Sequence, residues 1–412
     1  MTQSPITAGP DLDLETWRRL RLRAIFDYCK WDPHSGDHEV LGRFPLILPQ
    51  ATVDDLAAFA EALTSEALAA EKEILAKPKL LERLGLPEAI RECLSRAQVE
   101  EPAGDVRVMR FDFHYATDGW RISEVNADVP GGYVEASGWN ALFHRQRGET
   151  TVAPDPTEEY AKAICATLPA NSLVVLAHAT VYSDDRQAMV HLGRELQRHE
   201  MRVCLVSPRN LSWHDGAAFL KTDFASGTAA FAVRLSPAEW LPGESGREEW
   251  TAWFRPARTP LSNPGRAIVL QSKRFPLAWD GLATALPTWR RLLPETRCPS
   301  GQRCLRAEEW VLKPVFGRVG EDVGIRGVTA PAEYERIGRA ARRRPVQWIA
   351  QQRFHVTPVA TEGGAVFPCI GVYTVNGRFG GLYGRAARTP LINGSAFDVA
   401  VLIHGEERGC AQ

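Results

Sequence analysis

Four residues around position 110 have the types and the spacing to hold a cation. Arg110 and Asp112 in RFD, and Glu124 and Asn126 in EVN, are each separated by one residue, and alternate residues of a β-strand point to one face. Between the pairs lies Thr117-Asp118-Gly119, a turn signal. A three-residue loop ending in glycine sets Asp112 opposite Glu124 and Arg110 opposite Asn126. Two opposed carboxylates repel unless a cation separates them. Hard carboxylate oxygens, an amide carbonyl and a neighbouring arginine suit Mg2+ carrying phosphate oxygens, because that ion takes few protein carboxylates and completes its shell with substrate phosphates. Spacing alone leaves a second reading open, an exposed hairpin edge with scattered polar residues. The opposition also depends on the turn keeping its length.

Three other segments offer cations for phosphate. In KPVFGRVGEDVG, Lys313 ends an expected strand, and Gly317 and Gly320 let backbone N–H groups approach an anion closely. The segment is neither G-x-x-x-x-G-K-[ST] nor G-x-G-x-x-G, and a glycine-rich hairpin with a surface lysine has the same composition. Lys273 follows an apolar lead-in, where a lysine either snorkels to solvent or meets an anion. Arg385 sits in the glycine-dense GGLYGR, expected as a loop, where a guanidinium clamps phosphoryl oxygens or makes a surface ion pair. The chain has no HExxH, no G-x-S-x-G and no evident nucleophile, and His114 reads as structural. Arg339 to Arg344 reads as a solvated helix face, since no aromatic platform accompanies it.

The elements that must position these groups follow from periodicity. Residues 1–13 read as a flexible tail. Helices are expected over 14–31, over 53–75 with Thr52 as cap, and over 87–98. After the hairpin, Gly131-Gly132 precedes a helix over 134–145 whose N-terminus offers backbone N–H groups. Helix 157–167, strand 173–178, helix 184–199 and strand 202–206 form a β-α-β unit, hence a parallel sheet. Further strands are expected at 231–235, 266–274, 310–314, 346–354 and 369–382, with a basic helix over 332–344. The organisation expected is a helical region with the hairpin (14–155), a β-α-β unit (156–265) and a glycine-rich, strand-containing region (266–412), packed as one body.

Composition narrows the class. The 412 residues include 49 basic and 50 acidic side chains, a net charge of −1, so nothing draws the whole chain to nucleic acid or anionic lipid. Neither a basic leader with an apolar run nor about 18 uninterrupted apolar residues occurs, so a soluble, cytoplasmic protein is expected. The eight cysteines are dispersed, with no CxxC and no histidine at zinc-site spacing, and read as reduced structural thiols; Cys298 and Cys304 are the closest pair.

On the segments RFDFHYATDGWRISEVNADVP (110–130), the Lys273 region, LKPVFGRVGEDVGI (312–325), WIAQQRF (348–354) and IGVYTVNGRFGGLYGRAARTPLI (370–392), the chain resembles the glutathionylspermidine synthase-like ATP-grasp ligases from about residue 40 onward. By the same resemblance a synthetase domain is expected, without the amidase domain of bifunctional members. The resemblance implies an α/β (α+β) ATP-grasp-like fold with a helical N-terminal region, a parallel β-α-β unit and a glycine-rich antiparallel ATP-binding region. It implies Asp112, Glu124 and Asn126 as Mg2+ ligands, and Lys273, Lys313, Gly317, Gly320, Gln351 and Gln352 around ATP. Arg110 would lie on the transferring phosphoryl group and Arg385 on the acyl phosphate. The implied activity is ADP-forming ligation of an amino acid or peptide carboxylate to an amine, with residues 317–324 closing as a lid. Ala238, in RLSPAEWLPGE, stands where the family tends to carry an aromatic residue, which leaves the substrate pair open. A phosphotransferase using the same ATP site and a non-catalytic nucleotide-binding protein are the rival readings; retention of the full charged set argues against the latter.

Overall fold

The computed structural model describes residues 4–96, 104–148, 150–180, 182–244, 246–300 and 308–404. The end of the helix expected to reach Gln98, together with Cys304 and Cys410, lies outside them.

A six-stranded antiparallel sheet carries the hairpin. Its order is Phe397–Val399, Arg378–Ala387, Gly364–Val375, Val108–Ala116 and Gly119–Asn126, with Val359–Thr361 also pairing Gly364–Val375. Alternation decides its two faces. Met109, Phe111 and Phe113 join Ile370, Val372 and Leu382 in the largest core cluster, with Leu56, Ala60, Leu63 and Ala67 of the helix Gln50–Leu75. That helix buries residues at spacings of three and four, and a buried bidentate pair from Arg107 to Glu71 (2.7 and 2.8 Å) ties it to the start of the hairpin. Pro49, not Thr52, occupies its N-cap, so Thr52 lies inside the first turn.

A four-stranded parallel sheet, Leu261–Ser262, Phe231–Arg234, Leu173–Ala177 and Arg202–Val206, forms the β-α-β unit with the crossover helix Ser183–Arg198. Its strands are apolar because both faces are covered. A second antiparallel sheet, Thr296–Arg297, Trp348–Gln352, Trp310–Pro314 and Gly324–Ile325, is backed by the helix Pro331–Arg343.

Four further expectations are corrected. Thr7–Ala8 pairs with Leu46–Pro49 and Ile6 is buried, so residues 4–13 are not a loose tail. The stretch leading to Lys273 is helical, Gly265–Ala267 and then Ile268–Gln271, because its apolar run buries against the core as a helix turn and not within a sheet. The region 369–382 spans a hairpin whose turn is Asn376-Gly377, both at positive φ (48° and 79°), the backbone that an Asn-Gly turn supplies. Arg385 lies in a strand: a Cβ on Gly384 would sit 2.4 Å from the Val399 carbonyl oxygen, so that glycine serves close strand approach and marks no loop. The helix after Gly131-Gly132 contains a π-helical turn, Glu135–Trp139, before Asn140–Arg147.

Candidate active site

In the hairpin, Arg110 pairs with Asn126 and Asp112 with Glu124. The register arises from two compensating features. The turn is a two-residue Thr117-Asp118 connection, since Ala116 pairs with Gly119, and Ser123 is an extra residue at a bulge between Asp112 and Phe113. The bulged residue turns its carbonyl to accept a hydrogen bond from Lys313 Nζ (3.1 Å). Asn263 fixes the other end of the hairpin: its side chain bonds Val108 N and O (2.8 and 2.7 Å) and the carbonyls of Ala127 and Asp128 (3.0 and 3.1 Å). Gln271 Oε1 accepts from Ala127 N and Asp128 N (2.9 and 3.0 Å).

On the sheet face opposite the core, Arg110 donates to both oxygens of Asp112 (2.7 and 3.1 Å) and to Gly131 O (2.7 Å). Its guanidinium lies 5.2 Å from the Tyr383 ring centroid. Gly371, opposite Asp112, makes room for it, because a Cβ there would approach Arg110 Cδ to 2.8 Å. Asn126 Nδ2 donates to Asp112 Oδ2 (3.2 Å), which turns its carbonyl oxygen away and keeps it as a hard acceptor. Lys273 Nζ reaches Glu124 Oε2 (3.0 Å) and Gly317 O (2.8 Å). Lys313 Nζ reaches Gln351 Oε1 (2.8 Å). Three bonded groups thus lie side by side along the hairpin: Arg110 with Asp112 and Asn126, Glu124 with Lys273 and the Gly317 carbonyl, and Lys313 with Gln351 and the Ser123 carbonyl.

The electrostatics follow from crowding like and unlike charges where most of the side chains are buried. Burial pushes the Glu124 carboxyl up, and Lys273, Lys313 and Arg110 outweigh it, holding it below the usual carboxylate range. Burial lowers the Lys313 ammonium to about 8; Lys273 adds to the shift and Glu124 opposes it. His114, bonded to Ser123 Oγ (3.1 Å), is lowered by burial to about 4 and stays neutral at pH 7. Burial raises the Cys369 thiol well above its ordinary value, so no thiolate faces the site.

Arg385 lies two residues beyond Tyr383 on its strand, where alternation gives both residues one face; it donates to Asn393 O (2.6 Å) and lies 4.0 Å from Asp398. Tyr383 Oη donates to Asp398 Oδ1 (2.6 Å), and Lys30 bridges Glu135 (2.5 Å) and Asp398 (3.5 Å). Sequence spacing gave no sign of Lys30, Glu135 or Asp398, which meet only through the sheet and the π-turn. Gln352 points to the other, exposed side of its strand from Gln351, as strand alternation requires. Gly320 packs on the 392–393 segment, where a Cβ would sit 2.4 Å from Ile392 O. Among the described residues, no three His, Cys, Asp or Glu side chains converge on one point. Two carboxylates with an amide oxygen match a metal whose remaining ligands come from phosphate.

The fold is ATP-grasp-like, and the class it points to is that of the ATP-dependent ligases. The chain belongs to the glutathionylspermidine synthase preATP-grasp family, whose profile matches residues 24–404. Its fold is shared with the apo form of a glutathione synthetase-like effector from Globodera pallida, 11% identical, with a TM-score of 0.62 over 95% of this chain and 98% of that one. A putative gamma-glutamylcysteine synthetase from Methylobacillus flagellatus matches at 14% identity and a TM-score of 0.37 over 80% of this chain and 85% of that one. No curated protein sequence matches. No helix among the described residues is long and apolar enough to cross a membrane.

Proposed function

We propose that the protein is an ATP- and Mg2+-dependent carboxylate–amine ligase that forms an amide through an acyl phosphate. The observation that carries this reading is the pairing of Asp112 with Glu124 and of Arg110 with Asn126 in one hairpin that Lys273 reaches at Glu124 and Lys313 at Ser123. Asp112, Glu124 and Asn126 would hold Mg2+, which supplies charge neutralisation for the nucleotide phosphates. Lys273 and Lys313, now bonded to protein oxygens, exchange those partners for phosphate oxygens. Arg110, held by Asp112, Gly131 and Tyr383, is fixed beside the transferred phosphoryl group; Arg385 stabilises the acyl phosphate from the next strand but one in the same sheet. A carboxylate oxygen of an amino acid or peptide attacks the γ-phosphorus and ADP leaves. The amine nitrogen then attacks the acyl carbon, phosphate leaves and the nitrogen gives up a proton. Catalysis is positioning and charge stabilisation, with no protein nucleophile, and residues 317–324 exclude water that would hydrolyse the intermediate. Residues 14–155 and 266–412 contribute the metal and nucleotide groups, and residues 156–265 adjoin them as the substrate unit of a cytoplasmic enzyme.

ADP release with a panel of amino acids, short peptides and amines tests this. The product mass should equal the sum of the substrates less water, whereas a phosphotransferase product gains a phosphoryl group. Asp112→Asn should abolish ADP release; unchanged release, or none from any substrate pair with the unaltered enzyme, refutes the proposal.

A further inference from the structure

Beyond the phosphate-binding cluster, the glycine-rich loop makes a second contact that the reaction above does not use. Arg318 follows Gly317, whose carbonyl is bonded to Lys273, and its side chain crosses to the carboxyl end of the parallel sheet. There the turn Ala238–Trp240 follows the strand Phe231–Arg234. The turn is anchored from below. Ala238 N donates to Asp128 Oδ2 (2.8 Å), and Asp128 is ion-paired with Arg234, both side chains fully buried. Carboxyl ends of parallel strands are where open α/β sheets bind ligands.

On this turn Glu239 and Trp240 present a carboxylate beside an aromatic face, and Tyr182 packs on Trp240 with ring centroids 5.6 Å apart. Arg318 fills the space: its Cζ lies 5.1 Å from the Trp240 centroid and its Nη2 3.5 Å from Glu239 Oε1. The fit is loose. A dedicated arginine–carboxylate pair makes two short bonds; here there is one long contact, and Glu239 Oε2 and Arg318 Nε are both buried with no hydrogen-bond partner among the described residues. Burial pushes the Glu239 carboxyl up, and Arg318 only partly offsets this. A carboxylate and an aromatic face are the two groups that recognise an organic cation. A small ammonium group, unlike the guanidinium, could satisfy Oε2 while remaining on the ring.

We infer that Glu239, Trp240 and Tyr182 form the binding site for an alkylammonium group of the amine substrate, and that Arg318 occupies it until that substrate arrives. The assignment rests on the ligase reading for the word substrate, while the site itself stands on the cation geometry. Displacing Arg318 releases a guanidinium from the loop that covers the phosphates, so amine binding and loop position are linked.

The test is calorimetric titration at pH 7 with n-butylammonium, using n-butanol as the uncharged isostere. The unaltered enzyme should bind the ammonium and not the alcohol. Glu239→Gln should weaken binding tenfold or more with Mg-ATP affinity unchanged, and Arg318→Ala, which removes the internal competitor, should tighten it severalfold. Absence of ammonium binding, equal binding by Glu239→Gln, or weaker binding by Arg318→Ala overturns the inference. The titrations involve no chemistry, so an enzyme that releases no ADP refutes the ligase while leaving them standing. A working ligase whose Glu239→Gln variant keeps its KM for the amine refutes the cation site alone.

Discussion

Lys313 should impose a pH limit on nucleotide binding. Its ammonium is buried between Ser123 O and Gln351 Oε1 and loses its proton near pH 8, because burial and the neighbouring Lys273 together outweigh the attraction of Glu124. If only the charged form holds phosphate, the apparent association constant falls as 1/(1 + 10^(pH − 8)). Between pH 7 and pH 9 that is about tenfold, or ~1.4 kcal/mol. Calorimetric titration with Mg-ATP across this range measures it, and above pH 8 the binding should take up a proton, visible as a dependence on buffer ionisation enthalpy. Lys313→Met should bind more weakly at pH 7 and show no fall. A flat profile in the unaltered protein, or the same fall in Lys313→Met, refutes the reasoning. Stability responds in the opposite sense. The folded-state value lies below the ordinary 10.5, so between pH 8 and 10.5 the unfolded chain carries more protons, and the nucleotide-free protein gains stability from this group as pH rises through that interval.

Two further outcomes follow from close contacts. Gly371→Ala should lower ADP formation tenfold or more with the far-ultraviolet circular dichroism unchanged, since its Cβ would press Arg110 off Asp112; retained activity would show that the guanidinium's position does not matter. Arg234→Met should cost about 3–5 kcal/mol in denaturant unfolding by leaving Asp128 as a buried, unpaired carboxylate, and a loss under about 1 kcal/mol would mean that water reaches the pair.

The hairpin register was legible for a reason that is only partly right. Counting a three-residue turn gave the same pairing as a two-residue turn with a bulge at Ser123, because each shifts one strand by one residue relative to a tight hairpin. The β-α-β unit was legible because its strands are continuous apolar runs and its helix is amphipathic. The run before Lys273 reads as a strand because a short apolar run has no period long enough to distinguish strand from helix, and tertiary packing decides it. The segment around Arg385 reads as a loop because glycine density signals either a turn or a close backbone approach, and only the neighbouring Val399 carbonyl distinguishes them. Asn376-Gly377 is itself a sequence signal for the turn that divides residues 369–382. Lys30, Glu135, Asp398 and the Glu239–Arg318 contact join residues from distant parts of the chain, and no local pattern encodes such meetings.

The central sheet also fixes when the site can exist. Val108 pairs with Val375 and Asp112 with Gly371, so the hairpin's central partner is made more than 250 residues later. At the usual 5–20 residues per second of synthesis, the hairpin waits on the order of 13–50 s for that strand. During this interval its strand edge, carrying Phe111 and Phe113 on one face and Asp112 on the other, has no neighbour from its own chain. The charged face proposed for the nucleotide thus also serves the nascent chain, since charge along an unpaired edge is what discourages association with other strands.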